Sequence, residues 1–106
     1  MCNKELKIAT ITLEDTTPMM VSDDYRERFK AEYIQTQIRY QKLKKFNNRI
    51  EAAYRTECER PDIKKVEMPK HDCPADLLRD QQRVMGEYLH ILEVRAEIEG
   101  VDLTDI

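Results

Sequence analysis

The sequence predicts an all-α protein: a long antiparallel helical hairpin with an N-terminal arm, assembling into a helical oligomer. Three observations predict it. Of the 106 residues, 37% are charged and 41% hydrophobic with only 2 Gly and 4 Pro, which suits long helices and denies a β-sandwich its turns. Two long segments, one starting at Ser22 or Asp23 and one at Pro74, carry apolar residues at helical spacing. Each segment also carries two apolar stripes, where a lone hairpin has use for one.

The length fits one small domain, divided into an N-terminal arm over 1–21 and a helical hairpin domain over 22–106. In the arm, Ile8 to Leu13 is rich in β-branched residues and reads as a short strand without a partner, followed by a loop from Glu14 to Pro18. Such an arm is expected to be disordered alone or ordered against a neighbouring subunit.

The first long helix is expected to be capped by Ser22 or Asp23, with Asp23, Asp24 and Glu27 placed well for its dipole. It runs without Pro or Gly to about Glu59, which spans roughly 55 Å at 1.5 Å per residue. Its main seam is Tyr25, Phe29, Tyr33, Thr36, Tyr40, Leu43, Asn47, Ile50 and Tyr54, a repeat of fours and threes that Thr36 and Asn47 interrupt. Ile34 and Ile38 lie on the opposite side and require a second contact. Pro61 ends this helix, and a loop over 61–72 follows.

The second helix has Pro74 at its first helical position, Asp76 in its first turn and Gly100 as its stop, with a tail to Ile106. Leu78, Met85, Leu89, Leu92 and Ala96 form one seam. Leu77, Val84, Tyr88, Ile91 and Ile98 form another, turned about 100° around the same helix. A hairpin buries only one of these, so the other predicts a second copy.

The net charge of −3 argues against a general nucleic-acid binder. No apolar run approaches a membrane span, and the N-terminus lacks the pattern of a signal peptide, so a cytoplasmic protein is expected. Cys2, Cys58 and Cys73 are an odd, widely spaced set and read as free thiols in a reducing compartment.

Catalysis finds little support. His71, Asp72 and Cys73, with Cys58 across the base of the hairpin, lack the second short-spaced ligand pair of a zinc site, so no metal and no cofactor are expected. Cys73 and His71 have no orienting third group, and both glycines are isolated, which leaves no phosphate-cradling loop. An enzyme is not expected.

Anion binding fits better. Arg39, Lys42, Lys44, Lys45 and Arg49 form a basic run with no acid between positions 33 and 50, interleaved with Tyr33, Tyr40 and Phe46. Cations beside aromatic faces meet the two needs of a phosphorylated nucleobase, charge for one part and stacking for the other. On the second helix, Arg79, Arg83, Gly86 and His90 follow one polar edge at steps of four, three and four. Gly86 costs about 1 kcal/mol against Ala in a helix interior, so it marks the close approach of another helix or of a ligand. The predicted ligand-binding residues are Arg39, Tyr40, Lys42, Lys45, Arg49, Arg79, Arg83 and His90. An alternative is a protein-binding adaptor or inhibitor of a host protein, for which the arm and the Ile34/Ile38 pair would supply the surface.

The run Tyr25 to Tyr33, continuing over Arg39-Tyr40-Gln41-Lys42-Leu43, resembles small helical-hairpin proteins of crAss-like and other tailed phages. So do Cys73-Pro74 with Leu77-Leu78-Arg79, and Met85 to Ala96. The resemblance covers roughly residues 23–103 and implies a phage protein in a bacterial host cell. In architecture the chain is more loosely similar to phage cyclic-nucleotide sponges, the anti-CBASS and Thoeris anti-defence proteins. That likeness implies a homo-oligomer holding a cyclic nucleotide or ADP-ribose-type ligand between subunits, and it carries over no individual residue.

Overall fold

The computed structural model describes residues 11–57 and 62–104, and among these every regular element is helical. A 3₁₀ turn at Glu14–Thr16 leads into the short helix α1 (Thr17–Met20), followed by the long helices α2 (Tyr25–Arg55) and α3 (Ala75–Glu99).

Helix α2 begins one or two residues later than its sequence suggests, because Asp24 is the cap. Its side chain accepts a hydrogen bond from Arg26 N at 2.9 Å, while Ser22 Oγ accepts from Asp24 N at 3.0 Å. The helix also stops earlier, at Arg55 rather than Glu59. Thr56 Oγ1 donates to Ala52 O at 2.8 Å and accepts from Val66 N at 2.9 Å, so the hydroxyl ties the helix end to the returning chain. Pro61 and Cys58 lie outside the described residues.

Helix α3 starts at Ala75, with Pro74 as its cap rather than its first residue. Gly100 ends it with φ +72°, and Val101 N donates to Ala96 O at 2.9 Å. That six-to-one bond, with Ala96 and Val101 both in the core, is the Schellman stop that only a left-handed residue allows cheaply.

The pairing of α2 and α3 is antiparallel. Arg26 Nη1 donates to Gly100 O at 2.6 Å, Tyr33 OH to Glu93 Oε2 at 2.6 Å and Asn47 Nδ2 to Leu78 O at 3.1 Å, so partners move up one helix as they move down the other. Phe29, Tyr33, Leu89, Leu92, Ala96, Val101 and Leu103 form the shared core. Burying each of the larger ones stabilises the fold by about 1.5–3 kcal/mol. At the open end, Arg95 lies 5.1 Å above the Phe29 ring, and Tyr25 OH bridges Arg95 and Glu99 at 2.7 Å each. Tyr25 and Tyr54, expected in the seam, are exposed at its two ends.

The arm is where the structure departs most from expectation. Ile11 to Leu13 forms no strand, and Ile8 to Thr10 lies outside the described residues. Thr12 and Asp15 exchange bonds, Thr12 N to Asp15 Oδ2 at 3.0 Å and Asp15 N to Thr12 Oγ1 at 3.2 Å, a reciprocal pair of the kind that starts a helix. The turn and α1 then pack on α2 of the same chain. Gln35 Nε2 donates to Thr16 Oγ1 at 2.8 Å and to Met20 Sδ at 3.1 Å. Thr16, Ala31 and Ile34 are fully buried at this contact, so the second apolar face of α2 is covered from within.

Among the described residues the second seam of α3 has no such cover except at Tyr88, whose hydroxyl donates to Glu32 Oε2 of α2. Leu77, Val84, Ile91 and Ile98 are 55%, 53%, 52% and 79% exposed.

Candidate functional site

Tyr40, Arg79 and Arg83 come together in a groove of about 300 Å³ between α2 and α3, with Asn47, Asn48, Glu51, Gln82 and Gly86. The turn-by-turn spacing of both helices makes this convergence. Tyr40 and Asn47 are seven residues apart on α2, and Arg79, Arg83 and Gly86 share one edge of α3.

Gly86 fixes the position of Tyr40. A Cβ built at residue 86 would stand 3.3 Å from Tyr40 Cε1 and 3.5 Å from its hydroxyl oxygen. The missing side chain thus lets the half-buried phenol ring lie against the backbone of α3. Arg79 and Arg83, one turn apart, present two guanidinium groups at about the spacing of neighbouring helix side chains. Arg83 Nη1 pairs with Glu87 Oε2 at 3.0 Å, and Asp80 lies 3.9 Å from Nη2, whereas Arg79 makes no ion pair among the described residues.

Asn47 sits at the floor. Its amide nitrogen donates to Leu78 O at 3.1 Å and to Gln82 Oε1 at 2.9 Å. The Leu78 carbonyl can only accept, which fixes the amide with its nitrogen toward α3. The side-chain oxygen, in a residue only 7% exposed, is then left with no hydrogen-bond partner. An acceptor orphaned in this way costs about 1–3 kcal/mol. Sequence reasoning treated Asn47 as a break in the apolar seam; the signal of a site was the same break, a polar residue where packing calls for an apolar one.

The remaining predicted residues lie elsewhere. Arg39, Lys42, Lys45 and Arg49, at steps of three, three and four, share one arc of α2, with Lys44 turned away, and none of them lines the groove. Lys42 and Lys45, with Lys44, line a cavity of about 860 Å³ beside the arm, with Ile11, Leu13 and Ile38. Arg39 and Arg49 are exposed and line neither cavity. His90 borders a separate groove of about 610 Å³ at the C-terminal end of α3, which Glu93 and Glu97 also line. At the base of the hairpin, His71 packs edge-on to Phe46 at 6.2 Å, and its Nδ1 donates to Pro69 O at 2.9 Å, so packing occupies this ring. Cys73 is a free, exposed thiol.

Among the described residues, the clear shifts of ionisation lie at the open end of the hairpin. The Tyr25 hydroxyl, donating to Glu99 and backed by Arg95, holds the Glu99 carboxyl below the usual carboxylate range. The same bond to Glu99 raises the Tyr25 phenol. These groups build the hairpin and lie outside the groove.

Fold and groove together define a small helical-hairpin protein with a mixed aromatic, cationic and amide cleft between its two long helices. Residues 23–98 match the model of the Sequestin family, and the chain belongs to that family. Comparison with curated proteins and with solved structures finds no match. No helix among the described residues is long and apolar enough to cross a membrane.

Proposed function

We propose that the protein is a non-enzymatic phage anti-defence protein that sequesters a small anionic nucleotide signal in pockets between subunits, in the cytoplasm of the bacterial host. The observation that carries this reading is the convergence at Gly86. There the Tyr40 ring offers a stacking face, Arg79 and Arg83 offer charge for phosphate, and Asn47 holds an acceptor without a donor. A nucleotide supplies all three counterparts: a flat base, an anionic phosphate and a donor on the base edge. The family name itself speaks of sequestration, which supports retention of a ligand over its conversion. The side chains around the groove are phenol, amide and guanidinium groups with one carboxylate, a set suited to holding rather than to bond-breaking.

The rival reading, an adaptor or inhibitor covering a host protein, draws on the arm and on Ile34 and Ile38 as an open surface. Ile34 is fully buried and Ile38 is half-buried against the hairpin core, which weakens that support.

The test is calorimetric titration with cyclic dinucleotides and an ADP-ribose-type ligand, followed by denaturation and mass analysis of what is released. Binding at micromolar concentration or tighter is expected, with the ligand recovered intact. Arg79→Ala should weaken it by about 10–100-fold, the worth of one charge-assisted hydrogen bond. No binding at micromolar concentration, or a released product of altered mass, overturns the reading.

A further inference from the structure

We infer that the cavity beside the arm is a second binding site, made for a single-chain amphipathic anion: an aliphatic body ending in a carboxylate or a phosphate. The site is separate from the groove and does not rest on the nucleotide reading.

Its walls divide into an apolar part and a cationic part. Ile11 and Leu13 of the arm and Ile38 of α2 supply half-buried aliphatic side chains. Lys42, Lys44 and Lys45 also line it, and all three are exposed. Ile38 and Lys45 are seven residues apart, about 10 Å along the helix axis, so the lysines stand toward one end of the α2 wall. Lys44 lies about 100° around the helix from Lys45, on the side away from Lys42, so the ammonium groups flank that end.

These lysines have no internal counter-charge. None of them forms an ion pair among the described residues, and Glu14, the one carboxylate on the described lining, pairs with none of them. Helix α2 has no acid between Glu32 and Glu51 to offset them. Three like charges around one concavity raise the local concentration of anions.

The other polar groups of the walls are engaged with the chain itself. Gln41 Nε2 donates to Gln37 Oε1 at 3.3 Å, and Gln37 Nε2 donates to Tyr33 OH at 3.0 Å, a relay leading away into the hairpin core. Thr12 is held by its exchange with Asp15. No aromatic ring is among the described lining residues. The cavity therefore offers aliphatic surface and positive charge, and little else. A nucleobase wants a stacking face, which Tyr40 gives the groove and nothing gives this cavity; an aliphatic anion has no need of one. At about 860 Å³ the cavity exceeds both the groove and the one at the end of α3, and lies within the range of small-ligand sites.

The experiment is calorimetric titration of the full chain with decanoate and with decyl phosphate, below micelle-forming concentrations. Both should bind at one site per chain with a Kd on the order of 100 µM or tighter, the tighter one naming the head group. Octanoate should bind about tenfold more weakly than decanoate, since each buried methylene is worth about fourfold at most. Replacing two exposed lysines together, Lys42→Ala with Lys45→Ala, should weaken decanoate about tenfold and leave the helical circular-dichroism spectrum unchanged. Ile91→Lys, on the bare face of α3, should leave binding as it was. Failure of both anions to bind, equal binding of decyltrimethylammonium, or loss in Ile91→Lys rather than in the lysine variant overturns the inference. A cyclic dinucleotide that displaces decanoate overturns it too, because the cavity would then belong to the nucleotide site. Nucleotide binding that fails while decanoate binds would sink the sequestration reading alone.

Discussion

The second faces of α2 and α3 read alike in the sequence and end differently in the fold. On α2, Ala31 and Ile34 lie off the main seam, and the chain's own residues 14–20 fold back on this helix and cover them. On α3, Leu77, Val84, Ile91 and Ile98 lie off the main seam and remain bare. The difference teaches that periodicity counts the faces needing cover without saying who provides it. Covering α2 costs little loop-closure entropy, because the segment that does so is only a short loop away from it. For α3 the nearest spare chain is the tail, and the Schellman stop at Gly100 turns that tail into the hairpin core instead.

The largest effect expected from this contrast is a charge placed on each face. Ile34→Asp would bury an unpaired carboxylate at a site with no solvent access, costing about 3–5 kcal/mol or preventing folding outright. Ile98→Asp, on a residue 79% exposed, should move the stability of the isolated chain by no more than about 0.5 kcal/mol. Urea denaturation of the two variants at dilution measures both. If Ile34→Asp yields no folded protein, Ile34→Ala supplies the number, with an expected loss of about 2–4 kcal/mol. Equal losses at positions 34 and 98 would mean that the two faces are not differently covered.

Much of the fold was legible because it rests on period and punctuation. Leu89, Leu92 and Ala96 recur at steps of three and four, and all three are buried against α2. Gly100 stops α3 because its left-handed conformation is a local matter that a sequence can announce. The described part of the arm, residues 11–21, was not legible for the opposite reason. Ile8 to Leu13 has the residue types of a strand, but the deciding contacts are the Thr12–Asp15 exchange and the long-range bond from Gln35 to Thr16. The first of these was readable as a helix start; the second depends on which surface of α2 lies nearby. In the groove, Tyr40, Arg79 and Arg83 were legible from spacing along an edge, and Gly86 from its cost in a helix. Arg39, Lys42, Lys45 and Arg49 share one arc of α2 by their spacing, but the groove forms on another part of α2, where it meets α3. In the sequence Asn47 is only a polar interruption of the seam, since its orphaned oxygen depends on the Leu78 carbonyl opposite.

A smaller change should loosen the covered face without unfolding the hairpin. Gln35→Ala removes the bonds to Thr16 Oγ1 and Met20 Sδ. A loss of about 1 kcal/mol is expected, concentrated in the arm. Amide exchange should quicken over residues 12–21 while protection around Leu89 and Leu92 stays as it was. Exchange that rises equally in both places would show that the arm is part of the core rather than a cover laid upon it.

The smallest effect is a pH dependence at the open end of the hairpin, where α3 is held to α2 by Tyr25, Arg95 and Glu99. Hydrogen bonding from Tyr25, and then Arg95, lowers the Glu99 carboxyl in the folded state. A group whose folded pKa is depressed contributes stability above its unfolded value and loses it as the pH falls through the folded one. The raised Tyr25 phenol works in the other direction, contributing below its ordinary value near 10 and losing that contribution as the pH rises through the folded value. Tyr25→Phe should therefore lower the thermal midpoint slightly between about pH 5 and 9, and the difference from the wild type should fade below about pH 4. Both groups are solvent-exposed, so the shift stays small. Because this latch lies at the seam between α2 and α3, its loss in acid should leave the arm's cover of Ile34 unchanged. Amide exchange of residues 12–21 that rises in step with the acid loss would tie the two faces together and break the contrast between them.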